Sequence, residues 1–269
     1  MTAAARISAS VSMMFGELPF AARFAAAAAA GFDGVEIQRI DEATPHAIAA
    51  AATQAGVQVA LINVPMGDLL SGGPGLSGVP GREQAYVRAL HQAFETATLI
   101  GAHRVHLGPS RVPPGLSRDD CLPTYLANIA TAAELSAAAG IPAVVEGMNR
   151  VDAPDALIAS VDLAAEMVHR VPGIGLLFDA YHVAKGGHDP AAAFARHRAI
   201  ARHVQIADAP ARTAPGTGTI AWDRFFAALA DAEYAGWIGA EYPCAGDTPA
   251  TLGWLKPARR SARAAPPRS

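Results

Sequence analysis

Four oxygen-bearing side chains fall at or near the ends of four successive apolar runs, and they are the residues best placed to do chemistry. Ile141 to Val145 ends on Glu146, and Ile174 to Phe178 ends on Asp179. His203-Val204-Gln205-Ile206 carries an amide, and Trp237 to Ala240 ends on Glu241. A carboxylate is costly to bury unless it is paired or bound to a cation. Three of them at equivalent positions repel one another without a positive charge between them. All four donors are oxygens, a set that suits Mg²⁺ or Mn²⁺ better than Zn²⁺. Any one of these carboxylates, taken alone, is as well explained by capping a helix or pairing with an arginine. Their repetition on strands 5 to 8 points to a metal site formed by Glu146, Asp179, Gln205 and Glu241 at the top of a parallel barrel.

Other residues gather around this set. His182 follows Asp179 by three positions, which places it in the loop above the metal with a reach to a substrate oxygen. Arg212 follows the seventh strand, and its planar fork fits a substrate carboxylate. His106 lies on the fourth strand, and strand register decides whether it points inward. Lys185 and Arg150 are weaker choices for the carboxylate clamp, and Lys185 reads as surface charge.

The elements that must position these residues alternate regularly. Apolar runs predict strands over 7–13, 34–38, 57–64, 103–107, 141–146, 174–179, 203–207 and 237–242. Between them lie helices over 20–30, 45–55, 82–100, 119–139, 160–171, 190–197 and 222–232. Gly31, Gly56, Gly101 and Gly140 each stand where a helix must stop, because glycine accepts the left-handed backbone that ends one. Eight strand–helix units with no sheet reversal imply a single-domain α/β fold, a (β/α)8 TIM barrel over residues 1–255. The phosphate-binding glycines of a dinucleotide fold are missing after the first strand, which reads Met13-Met14-Phe15-Gly16-Glu17. A Gly-, Pro- and Ser-rich loop over 65–81 follows the third strand and is a candidate lid. Residues 256–269 carry five positive charges and no acid, and read as a disordered basic tail.

Composition narrows the function classes. The net charge is −3, and removing the tail's five positive charges leaves the body at −8. That argues against a nucleic-acid partner. No apolar run reaches the roughly 18 residues of a membrane span. Cys121 and Cys244 lie far apart, outside any metal-binding spacing, and read as free thiols with Cys244 a bystander. The expectation is a cytoplasmic enzyme of small molecules, and the composition is compatible with a homo-oligomer.

Several strings resemble the hydroxypyruvate isomerase family, within the xylose isomerase-like barrels. They are Ser12-Met13-Met14-Phe15, Gly31-Phe32-Asp33-Gly34-Val35-Glu36, His203-Val204-Gln205-Ile206-Ala207-Asp208, Pro215-Gly216-Thr217-Gly218, and Glu241-Tyr242 with Ala245-Gly246-Asp247-Thr248. They run in the family's order across about residues 6 to 255. The resemblance implies interconversion of hydroxypyruvate and 2-hydroxy-3-oxopropanoate (tartronate semialdehyde). It implies that Glu146 and Glu241 are paired catalytic glutamates, that with Asp179 and Gln205 they hold a divalent metal, and that His182 contacts substrate. A longer sugar or 2-oxo sugar acid, such as a 2-oxo-tetronate, is the alternative substrate. An abasic-site endonuclease and a catalytically silent barrel are the remote alternatives. The chain departs from the family pattern at Ser10 (usually Asn), Gly147 (usually Pro), Thr219 (usually Glu) and Pro243 (usually basic). These changes bear on substrate identity.

Overall fold

The computed structural model describes residues 5–244 and 246–263. Its strands are β1 (Arg6–Ser10), β2 (Gly34–Ile37), β3 (Gln58–Asn63), β4 (Val105–His106), β5 (Ala143–Glu146), β6 (Ile174–Asp179), β7 (Ala201–Ile206) and β8 (Trp237–Ala240). They pair in parallel and in chain order, and β8 returns to β1 to close the barrel. The surrounding helices are α1 (Phe20–Ala30), α2 (Pro45–Ala55), α3 (Glu83–Ile100), α4 (Arg118–Ala139), α5 (Val161–Arg170), α6 (Ala180–Lys185), α7 (Pro190–His197), α8 (Trp222–Asp231) and α9 (Leu255–Arg263). The expected TIM barrel is the observed fold.

Strand pleating divides the core into two compartments. Outward-facing residues pack against the helices, as Phe178 does on Phe194 of α7 and Phe225 of α8, with ring centroids 5.3 and 5.9 Å away. The inward residues split by chemistry. Leu61, Val144 and Leu177 form a small apolar cluster. Beside it, Ser8, Glu36, His203 and Gln205 form a buried polar one. Gly239 makes room for Glu36, because a Cβ there would stand 1.8 Å from Glu36 Oε1.

Several expected boundaries move. β1 stops at Ser10, where the amides of Met13 and Met14 turn back to its carbonyl. β4 is only two residues long, and β8 ends before Glu241. The short helix α6 begins directly after Asp179. The expected disordered tail starts inside α9, which packs on α8. Leu255 and Ala258 are buried, Pro257 sits in the first turn where proline is tolerated, and Arg259 pairs with Asp33 at 3.0 Å. The rest of that tail, 264–269, and Ala245 of the last family-like string lie outside the described residues.

The loop over 65–81 is tied down at several points. Arg82 holds Asp68 at 2.9 Å, Asp68 accepts from the Gly75 amide, and Ser77 pairs with Ser110. Its Met66, Leu69 and Leu70 reach the barrel mouth. Among the described residues, no helix is long and apolar enough to cross a membrane.

Candidate active site

The C-terminal ends of the strands open into a cavity of about 430 Å³. Glu146, Gln205, Glu241, His182, His106 and Arg212 all line it. A larger groove of about 960 Å³ lies outside the barrel between α1 and the start of α9, away from these groups.

Asp179 sits beneath the cavity and does two jobs. Its Oδ1 caps α6 by accepting from the Tyr181 amide at 2.7 Å. Its Oδ2 faces the site, 3.8 Å from His182 Nε2 and 3.7 Å from Arg212 Nη2. Ligand atoms of Glu146, Asp179 and His182 lie within 4.8 Å of one another. Glu241 joins through Arg212, whose Nη2 donates to Glu241 Oε2 at 2.7 Å. Helix capping and arginine pairing, the two structural uses open to a lone strand-end carboxylate, therefore both occur here. They leave Glu146 Oε1 buried with no hydrogen-bond partner, 3.6 Å from His182 Nε2.

Gln205 stands beside Asp179 in register. Its Nε2 donates to Glu36 Oε2 at 2.7 Å, so the other amide atom is an oxygen. Glu36 also accepts from Ser8 Oγ and from His203 Nε2, both at 2.7 Å. Burial raises its pKa, but His203, Gln205 and Ser8 outweigh burial and hold it below the usual carboxylate range. Neither Glu36 nor His203 shows a role in the sequence alone.

Charge is unevenly balanced in the site. Arg212 pairs with Asp179 and Glu241, and Glu146 has no arginine ion pair among the described residues; Arg39 and Arg111 also line the cavity but pair with Asp41 and Asp155. Burial, then the charges of Asp179 and Glu241, push the Glu146 carboxyl well above its ordinary range. Burial raises Glu241 to about 7, with Arg212 pulling it down and Asp179 pushing it up. Burial lowers His106 to about 3, so it is neutral, with Nε2 3.6 Å from Glu146 Oε2. The register left open by the sequence is settled, since His106 points into the barrel. Arg212 holds a positive φ of 55°, uncommon outside glycine, and its guanidinium lies 5.2 Å from the Tyr181 ring centroid. Asp208 fixes that loop. It accepts from the amides of Ala209, Gly216 and Ile220 and from Trp222 Nε1.

A chain of hydrogen bonds sets the tautomer of His182. The amides of Val151 and Asp152 donate to Asn149 Oδ1. Asn149 Nδ2 is thereby turned toward His182 Nδ1, 2.7 Å away, and toward Asp152 Oδ2. Nδ1 accepts, so Nε2 carries the proton. Nε2 is buried without a partner beside Glu146 and Asp179. Burial lowers the pKa of this ring, which makes it a neutral N–H donor aimed into the site. Asn149 was not singled out from sequence, where an asparagine after a strand reads as a turn residue. Lys185 turns away to the Pro210 carbonyl and Asp152, and Arg150 bonds the Pro154 carbonyl.

Gly147 explains one departure from the family pattern. A Cβ there would lie 2.1 Å from the Ser160 carbonyl oxygen, because the chain past Glu146 runs against the start of α5.

Comparison with known proteins gives a consistent picture. The family model described as Xylose isomerase-like TIM barrel matches residues 24–264. A 2-oxo-tetronate isomerase of Cupriavidus necator is 36% identical over 94% of this chain and 98% of its own length. The hydroxypyruvate isomerase of Escherichia coli is 30% identical over 94% and 99%. A solved Brucella melitensis structure, described as an AP endonuclease of family 2, is 32% identical with a TM-score of 0.89, covering 94% of this chain and 98% of that one.

Proposed function

The chain belongs to the xylose isomerase-like TIM barrel family, and from that membership and the geometry of its site we propose an isomerase of short 2-oxo acids. It would interconvert hydroxypyruvate and 2-hydroxy-3-oxopropanoate, or the four-carbon 2-oxo-tetronate pair, by proton transfer between adjacent carbons. The observation that carries this reading is that Glu146 and Glu241, on different strands, line one cavity, both carboxyls being raised above their ordinary values by burial and by the charge of Asp179. A carboxyl that exchanges protons with carbon at neutral pH works better when its pKa is shifted up toward the operating pH.

The oxygen donors fit a hard divalent cation, Mg²⁺ or Mn²⁺, held by Glu146, Asp179, Gln205 and Glu241. The support is the crowding of Glu146, Asp179 and Glu241 around Arg212 and the buried Glu146 Oε1, which accepts no hydrogen bond. When bound, such a cation supplies Lewis-acid polarisation of the substrate's carbonyl and neighbouring hydroxyl. The protein's own groups do the rest. One glutamate removes the carbon-bound proton, and the other handles protonation at the adjacent carbon or the transfer of the hydroxyl proton to the former carbonyl oxygen, their roles exchanging with reaction direction. His182 Nε2–H donates to the oxygen where charge develops. Neutral His106 is a second such donor, and Arg212 holds the substrate carboxylate.

The two free thiols and the small-molecule cavity fit a cytoplasmic enzyme. The acidic body disfavours the nucleic-acid reading that the Brucella description raises. Purified protein with Mg²⁺ or Mn²⁺ should convert hydroxypyruvate to an aldehyde product, and a chelator should stop it. Nicking of abasic DNA without conversion of either oxo acid would contradict the proposal.

A further inference from the structure

The wall of the cavity formed by β1, β2 and β3 carries no carboxylate at its strand ends. Gln38 directly follows β2, and Asn63 is the last residue of β3. Ile37 and Ile62 are register partners, so Gln38 and Asn63 stand side by side at the barrel mouth, and both line the cavity. Ser10 Oγ holds one end of the Gln38 amide at 2.5 Å. A hydroxyl can pair with either end of an amide, so in either orientation one polar atom is left over. Here it is Nε2, which is buried with no partner. Asn63 is 6% exposed, and its Oδ1 is likewise buried without a partner. Ser12 Oγ accepts from the Gln38 and Arg39 amides, which fixes the backbone at this point and leaves its own proton free.

Buried polar atoms in native proteins are nearly always satisfied, and an exception in a cavity marks a place for a ligand or water. An unpartnered donor next to an unpartnered acceptor complements one hydroxyl, which both accepts and donates. A carboxylate would satisfy only Nε2, and an ammonium only Oδ1. Hydroxypyruvate has no hydroxyl beyond the reacting pair of carbons. A four-carbon 2-oxo-3,4-dihydroxy acid has one, on carbon 4. The cavity of about 430 Å³ is several times larger than a three-carbon acid requires.

We propose that Gln38 and Asn63 form a hydroxyl-binding subsite for carbon 4, making the four-carbon acid the preferred substrate over hydroxypyruvate. The proposal rests on the isomerase reading above. The test compares kcat/KM for 2-oxo-3,4-dihydroxybutanoate, its 4-deoxy analogue and hydroxypyruvate, with Mg²⁺ or Mn²⁺ present. The unaltered enzyme should prefer the 4-hydroxy acid over the 4-deoxy acid by roughly 30-fold, the scale of two hydrogen bonds. In Asn63→Leu and Gln38→Leu that preference should collapse toward unity. The comparison in the unaltered enzyme stands even if a variant fails to fold. Equal turnover of the 4-hydroxy and 4-deoxy acids overturns the subsite while leaving the isomerase reading intact. An unchanged preference in both folded variants also overturns it. Turnover of none of the three acids removes the isomerase reading, and the subsite with it.

Discussion

The two sides of the barrel mouth are built from different chemistry. The side from β5 to β8 ends in Glu146, Asp179, Gln205 and Glu241, with Arg212 among them. The side from β1 to β3 ends in Ser10, Gln38 and Asn63, all uncharged. Charged groups crowded under low exposure shift one another's protonation, which suits reaction. Neutral amides and hydroxyls have fixed donors and acceptors, which suits selection. Glu36 joins the two sides. It stands on β2, yet it is bound to His203 and Gln205 of β7.

This division predicts which changes stop the reaction and which only redirect or weaken it. Glu146→Gln or Glu241→Gln should lower kcat by about a thousandfold, since positioned acid–base groups contribute on that order. Steady-state turnover of either oxo acid reads this, and CD melting should show the fold retained. Glu36→Gln should cost about 2 kcal/mol of stability, because an amide cannot accept all the buried hydrogen bonds that the carboxylate takes from Ser8, His203 and Gln205. The pH dependence has a definite sign. The folded pKa of Glu36 lies below its ordinary value near 4.5. Its stabilisation is therefore present in full above that value and lost as pH falls through the depressed folded one. Melts from pH 7 to 3 should show a flatter acid limb in the variant.

Asn149→Asp comes next. An aspartate there accepts rather than donates, so His182 Nδ1 would take the proton and Nε2 would lose it. About a hundredfold loss in kcat is expected, with KM little changed, the scale of losing one donor to a developing oxyanion. Equal rates would mean that His182 does not donate to the reacting oxygen. The smallest effect is at the far end of the barrel. Arg259→Ala removes a partly exposed ion pair to Asp33 and should cost under about 1 kcal/mol in a urea melt.

The charged side was legible in the sequence and the neutral side was not, for a physical reason. A carboxylate ending an apolar run conflicts with burial, so Glu146, Asp179 and Glu241 announce themselves. Asparagine or glutamine at a strand end is equally at home in a turn, so Asn63 and Gln38 carry no such signal. Glu36 looks like the polar member of a short strand, and the partners that explain it lie 167 and 169 residues away. The helix stops at Gly31, Gly56, Gly101 and Gly140 were legible because each needs a left-handed backbone, and each has one. The short α6 was missed because Asp179 both ends β6 and caps it. The helical part of the basic tail was missed because composition outweighed two small apolar contacts, Leu255 and Ala258.

Proton transfer to and from substrate carbon by Glu146 and Glu241 is open to direct measurement. Incubation with hydroxypyruvate in D₂O, with Mg²⁺ or Mn²⁺ and NMR detection, measures it in a single reaction. Deuterium should enter carbon as aldehyde product forms in the unaltered protein, and both signals should be lost in Glu241→Gln. Deuterium uptake at the unaltered rate in folded Glu241→Gln and Glu146→Gln proteins would contradict the assignment of the two glutamates.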